Sequence, residues 1–121
     1  MILTRWNYSK EEWKRFIQWN ARKKGILFFL VWKLNPWRKR IPEISIMADR
    51  ICVNKNHEPF LDRQRQIRGI QIREAGNLNI LEISYELGNS IRGIRVPIPR
   101  GKLKEAFEVQ ERLVNAAASV G

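Results

Sequence analysis

The sequence predicts one α+β domain of mainly β structure: a curved antiparallel sheet or partly open barrel of about seven strands, flanked by two helices. Three observations predict it: a helix-start signal near residue 9, short apolar segments separated by turn residues, and an amphipathic stretch after two late prolines. The 121 residues suffice for one hydrophobic core. We therefore expect a single domain over residues 1–121, with a helical extension at 1–25, the barrel at 26–98 and a capping helix at 102–118.

The first helix is predicted from a capping box. Ser9 and Glu12 are spaced so that each side chain accepts a hydrogen bond from the other's backbone N–H. Tyr8 and Trp13 hold the positions of a hydrophobic staple. A helical apolar stripe follows, and the cationic Arg22-Lys23-Lys24 suits the negative end of the helix dipole.

The apolar run Ile26–Trp32 is predicted to be a strand buried on both faces. Periodicity alone also fits a buried helical segment, but the short length, Gly25 before it and Asn35-Pro36 after it favour a strand. A membrane-spanning helix needs roughly 20 apolar residues, which this run does not reach.

Further strands are predicted on either side of turn residues. Glu43–Met47 and Arg50–Lys55 flank a tight turn at Ala48-Asp49, residues 54–59 are loop material, and Phe60-Leu61 is a short strand or an anchor.

Three longer strands, Gln64–Glu74, Leu78–Leu87 and Ile91–Ile98, complete the predicted sheet. In the second, alternation predicts Leu81, Ile83, Tyr85 and Leu87 inward and Glu82, Ser84 and Glu86 outward. The first and third share the tetrapeptide Ile-Arg-Gly-Ile, whose isoleucines are three residues apart. That spacing breaks strand alternation, so we expect β-bulges at Gly69 and Gly93.

A second helix is predicted after Pro97 and Pro99 end the last strand. Its expected apolar face consists of Leu103, Ala106, Phe107, Gln110, Leu113, Val114 and Ala117, with Gln110 as the polar exception.

The net charge of +11 is unevenly distributed along the chain. Residues 1–40 hold 11 Lys and Arg against 2 acidic residues, a net +9, whereas residues 41–121 hold 12 against 10, a net +2. Such a concentration indicates a surface that faces an anion.

The stretch from Ile44 to Leu113 resembles the bacterial pleckstrin-homology-like (PH-like) domains. The resemblance rests on the hairpin series, on Ile94–Gly101 closing the last strand and on Leu103–Leu113 as the closing helix. The opening Trp6–Trp13 looks like the lead-in of small bacterial proteins that place such a domain behind a membrane hairpin, although those relatives usually carry longer apolar segments. The resemblance implies a scaffold that binds lipid headgroups, peptides or proteins without a cofactor.

Basic residues between the first two predicted strands form the leading candidate site. In PH domains that connection often carries a Lys and then spaced basic residues that hold a phosphorylated headgroup, a pattern that Lys33, Arg38 and Arg40 follow loosely. Tryptophans beside cations also suit the headgroup layer of an anionic membrane. The alternatives are a solvated basic loop and aromatic residues that are simply core. The predicted anion or lipid site comprises Lys23, Lys24, Lys33, Trp37, Arg38, Lys39 and Arg40.

Two other functions fit the composition. A second cationic set could face a nucleic-acid backbone, or could equally be a solvated or protected sheet surface; it comprises Arg63, Arg65, Arg68, Arg92 and Arg95, with Arg73 nearby. The five tryptophans could instead serve a homo-oligomer interface. We expect an anionic membrane surface or a protein as the partner, with nucleic acid as the alternative.

Enzyme chemistry is not predicted. Cys52 and His57 are each the only residue of their type, so neither a disulfide framework nor a cysteine zinc site can form within the chain. We therefore expect a reducing, cytoplasmic location, or peripheral attachment to the inner face of the membrane. We interpret Cys52 as a packed strand residue and His57 as an exposed turn residue. No phosphate loop or nucleophile elbow occurs, so no catalysis, metal or cofactor is expected.

Overall fold

The computed structural model describes residues 2–22 and 41–120. Its elements follow in the order β1 (Ile2–Trp6), α1 (Lys10–Arg22), β2 (Ile44–Met47), β3 (Arg50–Val53), β4 (Asn56–Pro59), β5 (Arg65–Ala75), β6 (Leu78–Leu87), β7 (Ser90–Ile98) and α2 (Leu103–Val120). The strands form two antiparallel sheets, in the orders β1-β2-β3-β4 and β5-β6-β7. The mainly β class and the C-terminal helix are confirmed, but the described strands form no closed barrel.

The first strand, β1, corrects the prediction that residues 1–25 are a helical extension. It pairs antiparallel with β2, with Thr4 opposite Ile46 and Trp6 opposite Ile44. Thr4 and Trp6 are both buried because alternate residues of a strand face the same side, here the core. The segment before the helix therefore belongs to the sheet.

Helix α1 begins where the capping box predicts. The Ser9 backbone N–H donates to Glu12 Oε1 at 2.8 Å, and the Glu12 N–H donates to Ser9 Oγ at 3.1 Å. The rings of Tyr8 and Trp13 lie 5.5 Å apart, as the staple requires. The strand predicted at Ile26–Trp32 lies outside the described residues.

Strand β4 occupies residues predicted to be loop. It pairs with β3, with Asn56 opposite Val53. The turn is only two residues long because Asn54 adopts a left-handed backbone conformation, φ 56°, which asparagine tolerates. The predicted turn at Ala48-Asp49 is confirmed, and Phe60 is a fully buried anchor rather than a strand residue.

Of the two predicted bulges, only the one beside Gly69 occurs. The β5–β6 register shifts between Ile67 and Gly69, whereas the β6–β7 register runs unbroken through Gly93. In the unbroken strand, residues three apart face opposite sides. Ile94 is accordingly buried while Ile91 is 56% exposed.

Helix α2 packs through a stripe rotated from the predicted one. Ala106, Val109 and Leu113 are buried, whereas Phe107 and Val114, both predicted to face the core, are half exposed. The buried stripe follows i, i+3, i+7 spacing, whereas the predicted face left out Val109 and included Phe107 and Val114 on one flank. Gln110 fits its predicted place beside the core, because its Nε2 donates to the Ile70 carbonyl of β5 at 2.9 Å.

One hydrophobic core joins both sheets and both helices. Its cluster includes Trp6 from β1, Phe16 from α1, Ile51 from β3, Ile83 from β6 and Leu113 from α2. This shared core supports each described helix from the sheets and fixes which face of each helix remains outside.

Candidate anion-binding surface

The leading predicted site falls on residues 23–40, outside the described residues. This holds for every member: Lys23, Lys24, Lys33, Trp37, Arg38, Lys39 and Arg40. In sequence, residues 23–40 contain 6 of the 23 Lys and Arg residues and none of the 12 acidic residues. The site therefore stays a prediction, and the structure bears on it through the residues on either side.

Helix α1, which leads into residue 23, is firmly held. Trp13 and Phe16 are buried, with their rings 5.5 Å apart, and the Phe16 and Trp19 rings are 6.4 Å apart. In the last turns, Asn20 Oδ1 accepts a hydrogen bond from Arg95 Nη1 of β7 at 3.1 Å. The helix orientation is thus fixed by contacts at both its middle and its C-terminal part.

The opposite face of α1 is cationic. Lys10, Lys14 and Arg15 are exposed, accompanied by the single acidic residue Glu11. None of the three cations forms an ion pair with an acidic side chain in the described ranges. This face adjoins Arg22-Lys23-Lys24 in sequence, so positive charge continues along the chain.

The five arginines of the predicted nucleic-acid face do not share one surface. Arg92 lies opposite Tyr85 and Arg95 opposite Glu82, which places them on opposite faces of the β5–β7 sheet. Arg65 lies opposite Leu87, on the Arg92 side, whereas Arg68 reaches Glu86 on the Arg95 side. Arg63 is exposed in the bend before β5.

Acidic side chains already engage three of these arginines, and the pair of Arg95 with Glu82 is part of a larger network. Arg65 Nη1 lies 2.9 Å from Asp62 Oδ2, and Arg68 pairs with Glu86. Asp62 Oδ1 also accepts the backbone N–H groups of Gln64 and Arg65, each at 2.8 Å, and these hydrogen bonds lower the pKa of its carboxyl group despite partial desolvation. The Arg65 and Arg68 side chains thus form ion pairs within the fold, and Asp62 also holds the backbone at Arg65.

A buried ion network joins α1 to the second sheet, and it overturns the prediction that Glu82 points outward. Glu82 is 7% exposed, with Oε2 at 3.1 Å from Arg95 Nε and Oε1 at 3.1 Å from Arg73 Nε. The Arg95 guanidinium also lies 5.0 Å from the ring centre of Trp19. Burial lowers the pKa of Arg95, although the bond to Glu82 opposes that shift.

Strand alternation could not reveal this network. It places Glu82 on the face opposite Leu81, and that is where the residue lies, but α1 covers that part of the second face. An acidic residue flanked by Leu81 and Ile83, with two arginines on neighbouring strands, was the available signal. The sequence does not specify the register that brings those arginines opposite it.

Two other carboxylates connect distant parts of the fold. Glu12 Oε2 accepts the Arg100 backbone N–H at 2.6 Å, and Glu105 Oε1 accepts the Trp6 indole N–H at 3.1 Å and the Thr4 hydroxyl. Desolvation acts to raise the pKa of Glu12, but its backbone donors outweigh that and lower it. The hydrogen bond from Thr4 is the main cause of the lowered pKa of Glu105.

Cys52 and His57 face each other across β3 and β4. Cys52 Sγ donates to the Asn54 carbonyl at 3.0 Å and lies 4.0 Å from His57 Nε2. Cys52 is packed, as predicted; His57 is exposed, as predicted, but belongs to a strand rather than a turn. Within residues 2–22 and 41–120, no three His, Cys, Asp or Glu side chains gather in a metal-binding arrangement.

Neither helix in the described part of the chain combines the length and the apolar character needed to cross a membrane. Comparison with known proteins finds no family model, no curated protein and no solved structure that matches this chain.

Proposed function

We propose that this chain is a non-catalytic interaction module with a PH-like fold, and that it binds an anionic membrane surface through a basic region. The basic region is defined as the exposed cations of α1 (Lys10, Lys14 and Arg15) together with residues 23–40. The observation that carries the proposal is the way positive charge is partitioned between this region and the rest of the chain.

The 12 cations of residues 41–120 are accompanied by 10 acidic residues, and six of these cations form ion pairs within the fold. Six ion pairs there join Arg50 to Asp49, Arg65 to Asp62, Arg68 to Glu86, Arg73 and Arg95 to Glu82, and Lys102 to Glu105. The α1 cations have no such partner among the described residues, and residues 23–40 contain no acidic residue at all. Positive charge without an internal counterpart favours an external anion.

The sequence of residues 23–40 suits a membrane surface better than a protein groove. Basic triplets, Arg22-Lys23-Lys24 and Arg38-Lys39-Arg40, bracket the apolar run, with Trp32 and Trp37 between them. Tryptophan favours the headgroup layer, and each cation near an anionic surface contributes about 1 kcal/mol.

The strand order supports the PH-like part of the proposal. A four-stranded and a three-stranded antiparallel meander are followed by a closing helix, which is the architecture that the resemblance implies. In sequence, residues 23–40 fall between α1 and β2, and the predicted headgroup connection after Ile26–Trp32 is part of that stretch. The insertion of α1 between β1 and β2 is a departure from a simple meander.

Vesicle co-sedimentation tests the membrane proposal. The native chain should bind vesicles containing an anionic phospholipid and not vesicles of neutral lipid alone. Neutralising Lys23, Lys24, Arg38 and Arg40 to Gln should weaken binding by about three orders of magnitude, at about 1 kcal/mol per cation.

A matched variant removes four exposed cations elsewhere: Lys55, Arg63, Lys104 and Arg112, each to Gln. It should bind far more tightly than the first variant although its net charge is the same. Equal losses of vesicle affinity in the two variants would show that net charge alone matters. If the native chain binds neutral vesicles as well as anionic ones, or binds neither, the membrane proposal is rejected in favour of a protein partner.

A further inference from the structure

A polar cleft lies between α1 and the turn that connects β5 to β6. One part has a volume of about 280 Å³ and is lined by Arg15, Trp19, Ala75, Asn77 and Leu78. A second part of about 140 Å³ shares Arg15, Asn77 and Leu78 with the first and extends to Asn79 and Arg100. We call both parts together the α1–β5 cleft.

The cleft brings together two guanidinium groups and two side-chain amides. Arg15 comes from the exposed face of α1, Asn77 from the turn between β5 and β6, Asn79 from the start of β6, and Arg100 from the turn before α2. Neither the Arg15 nor the Arg100 guanidinium forms an ion pair with an acidic side chain of the described residues. All four side chains can donate hydrogen bonds.

One carboxylate, that of Glu12, also lines the cleft. Its two oxygens already accept backbone N–H groups, Oε1 from Ser9 and Oε2 from Arg100. With Glu12 engaged in this way, the two guanidinium groups leave the cleft with a formal excess of one positive charge. Glu82 does not line the cleft and is shared by two arginines, so it supplies no spare negative charge there.

The backbone around the cleft is held by specific contacts. Gly76, beside Asn77, has φ 64°, and Gly101, beside Arg100, has φ 83°, conformations that suit glycine in tight turns. The bond between the Arg100 N–H and Glu12 fixes the turn before α2 against α1. The backbone that carries Asn77 and Arg100 is therefore held in place before any ligand arrives.

We propose that the α1–β5 cleft binds the phosphate group of a phosphomonoester. Guanidinium groups bind phosphate oxygens in a bidentate manner, and the Asn77 and Asn79 amides can donate to the remaining oxygens. The phosphate could belong to a lipid headgroup or to a soluble molecule. This inference goes beyond the proposed function, because attraction of a basic region to an anionic surface needs no pocket.

Titration of the full ¹⁵N-labelled chain with inorganic phosphate, at constant ionic strength set by chloride, tests the cleft. Backbone amide signals of Asn77, Asn79 and Arg100 should shift saturably. Arg15→Gln and Arg100→Gln should each weaken binding at least about tenfold, because each removes a charge-assisted contact. Arg112→Gln, an exposed cation of α2, should leave the affinity unchanged.

The absence of saturable shifts in the native chain would overturn the inference, as would an equal loss in Arg112→Gln. Vesicles containing phosphatidate, compared with phosphatidylglycerol at equal surface charge, identify the source. A preference for phosphatidate that Arg15→Gln abolishes supports a lipid headgroup, whereas competition by glycerol phosphate alone supports a soluble ligand. Binding to anionic vesicles without phosphate binding would reject the cleft while leaving the proposed function intact.

Discussion

The network of Arg73, Glu82 and Arg95 allows a quantitative test of how α1 is held on the second sheet. Replacing Arg95 by Met keeps an apolar side chain of similar length but removes its polar contacts. The bond to Glu82 is worth roughly 1.5–3 kcal/mol, and those to Asn20 and Trp19 about 1 kcal/mol each. Since the variant also avoids burying a guanidinium, we expect a net loss of about 3 kcal/mol in the free energy of unfolding.

Replacing the partner carboxylate, Glu82, should lower the free energy of unfolding by at least as much. Glu82→Leu leaves Arg95 buried without its carboxylate, whereas Arg73, with a side chain that is 52% exposed, can turn to solvent. Removing one partner of a buried pair typically costs about 3–5 kcal/mol, while an apolar replacement of both is often nearly neutral. The double variant Arg95→Met/Glu82→Leu should therefore be more stable than either single variant.

Urea denaturation followed by far-UV circular dichroism and tryptophan fluorescence measures these differences. A loss of 3 kcal/mol corresponds to a melting temperature lower by roughly 10 °C in a domain of this size. Arg68→Met, which removes an exposed ion pair with Glu86, is the control and should cost less than about 1 kcal/mol. Additive single effects, or an Arg95 variant no weaker than the Arg68 control, would refute the reasoning.

Three further predictions concern the capping box, α2 and a buried hydroxyl. The pKa of the Glu12 carboxyl lies below the usual 4.5, so the carboxylate stabilises the fold above pH 4.5 and this stabilisation is lost as the pH falls through the lowered pKa. Between pH 6 and pH 3, the urea midpoint of Glu12→Gln should therefore drop less than that of the native chain. An equal drop would contradict this. In thermal melts, Leu113→Ala should lower the free energy of unfolding by about 3 kcal/mol, whereas Val114→Ala should change it by no more than about 0.5 kcal/mol. Equal losses would instead fit the α2 face predicted from the sequence, which placed both residues in the core. Tyr8→Phe should cost about 1–2 kcal/mol in urea denaturation, because the buried Pro97 carbonyl loses the hydroxyl that donates to it at 2.7 Å; unchanged stability would show that water replaces the donor.

Local signals in the sequence predicted most elements of the described fold. The Ser9–Glu12 capping box fixed the start of α1, and the short turn at Ala48-Asp49 marked the β2–β3 hairpin. Such signals succeed because neighbouring residues determine caps and turns with little help from the rest of the chain. β4 was missed because Asn56, Glu58 and Pro59 belong to residue types that are depleted in strands, and pairing with β3 holds the segment extended.

Features of the fold that depend on contacts between distant residues were harder to predict. β1 is a strand because β2 pairs with it, and α2 turns Val109 rather than Phe107 inward because of where β5 lies. The α1–β5 cleft likewise combines Arg15, Asn77 and Arg100 from three separate elements, and no local motif announces it. Composition located the positive charge, but only the register and packing show which arginines are already engaged.

The bonds from Thr4 and Trp6 to Glu105 span 101 and 99 positions of the chain. During synthesis, roughly a hundred residues must therefore leave the ribosome before β1 acquires its contacts to α2. Until then the indole of Trp6 has no acceptor from the closing helix, and the edge of the first sheet is exposed to other nascent chains. Long-range closure of this kind slows folding, so β1 should be among the last parts of the molecule to reach native protection in pulsed hydrogen exchange.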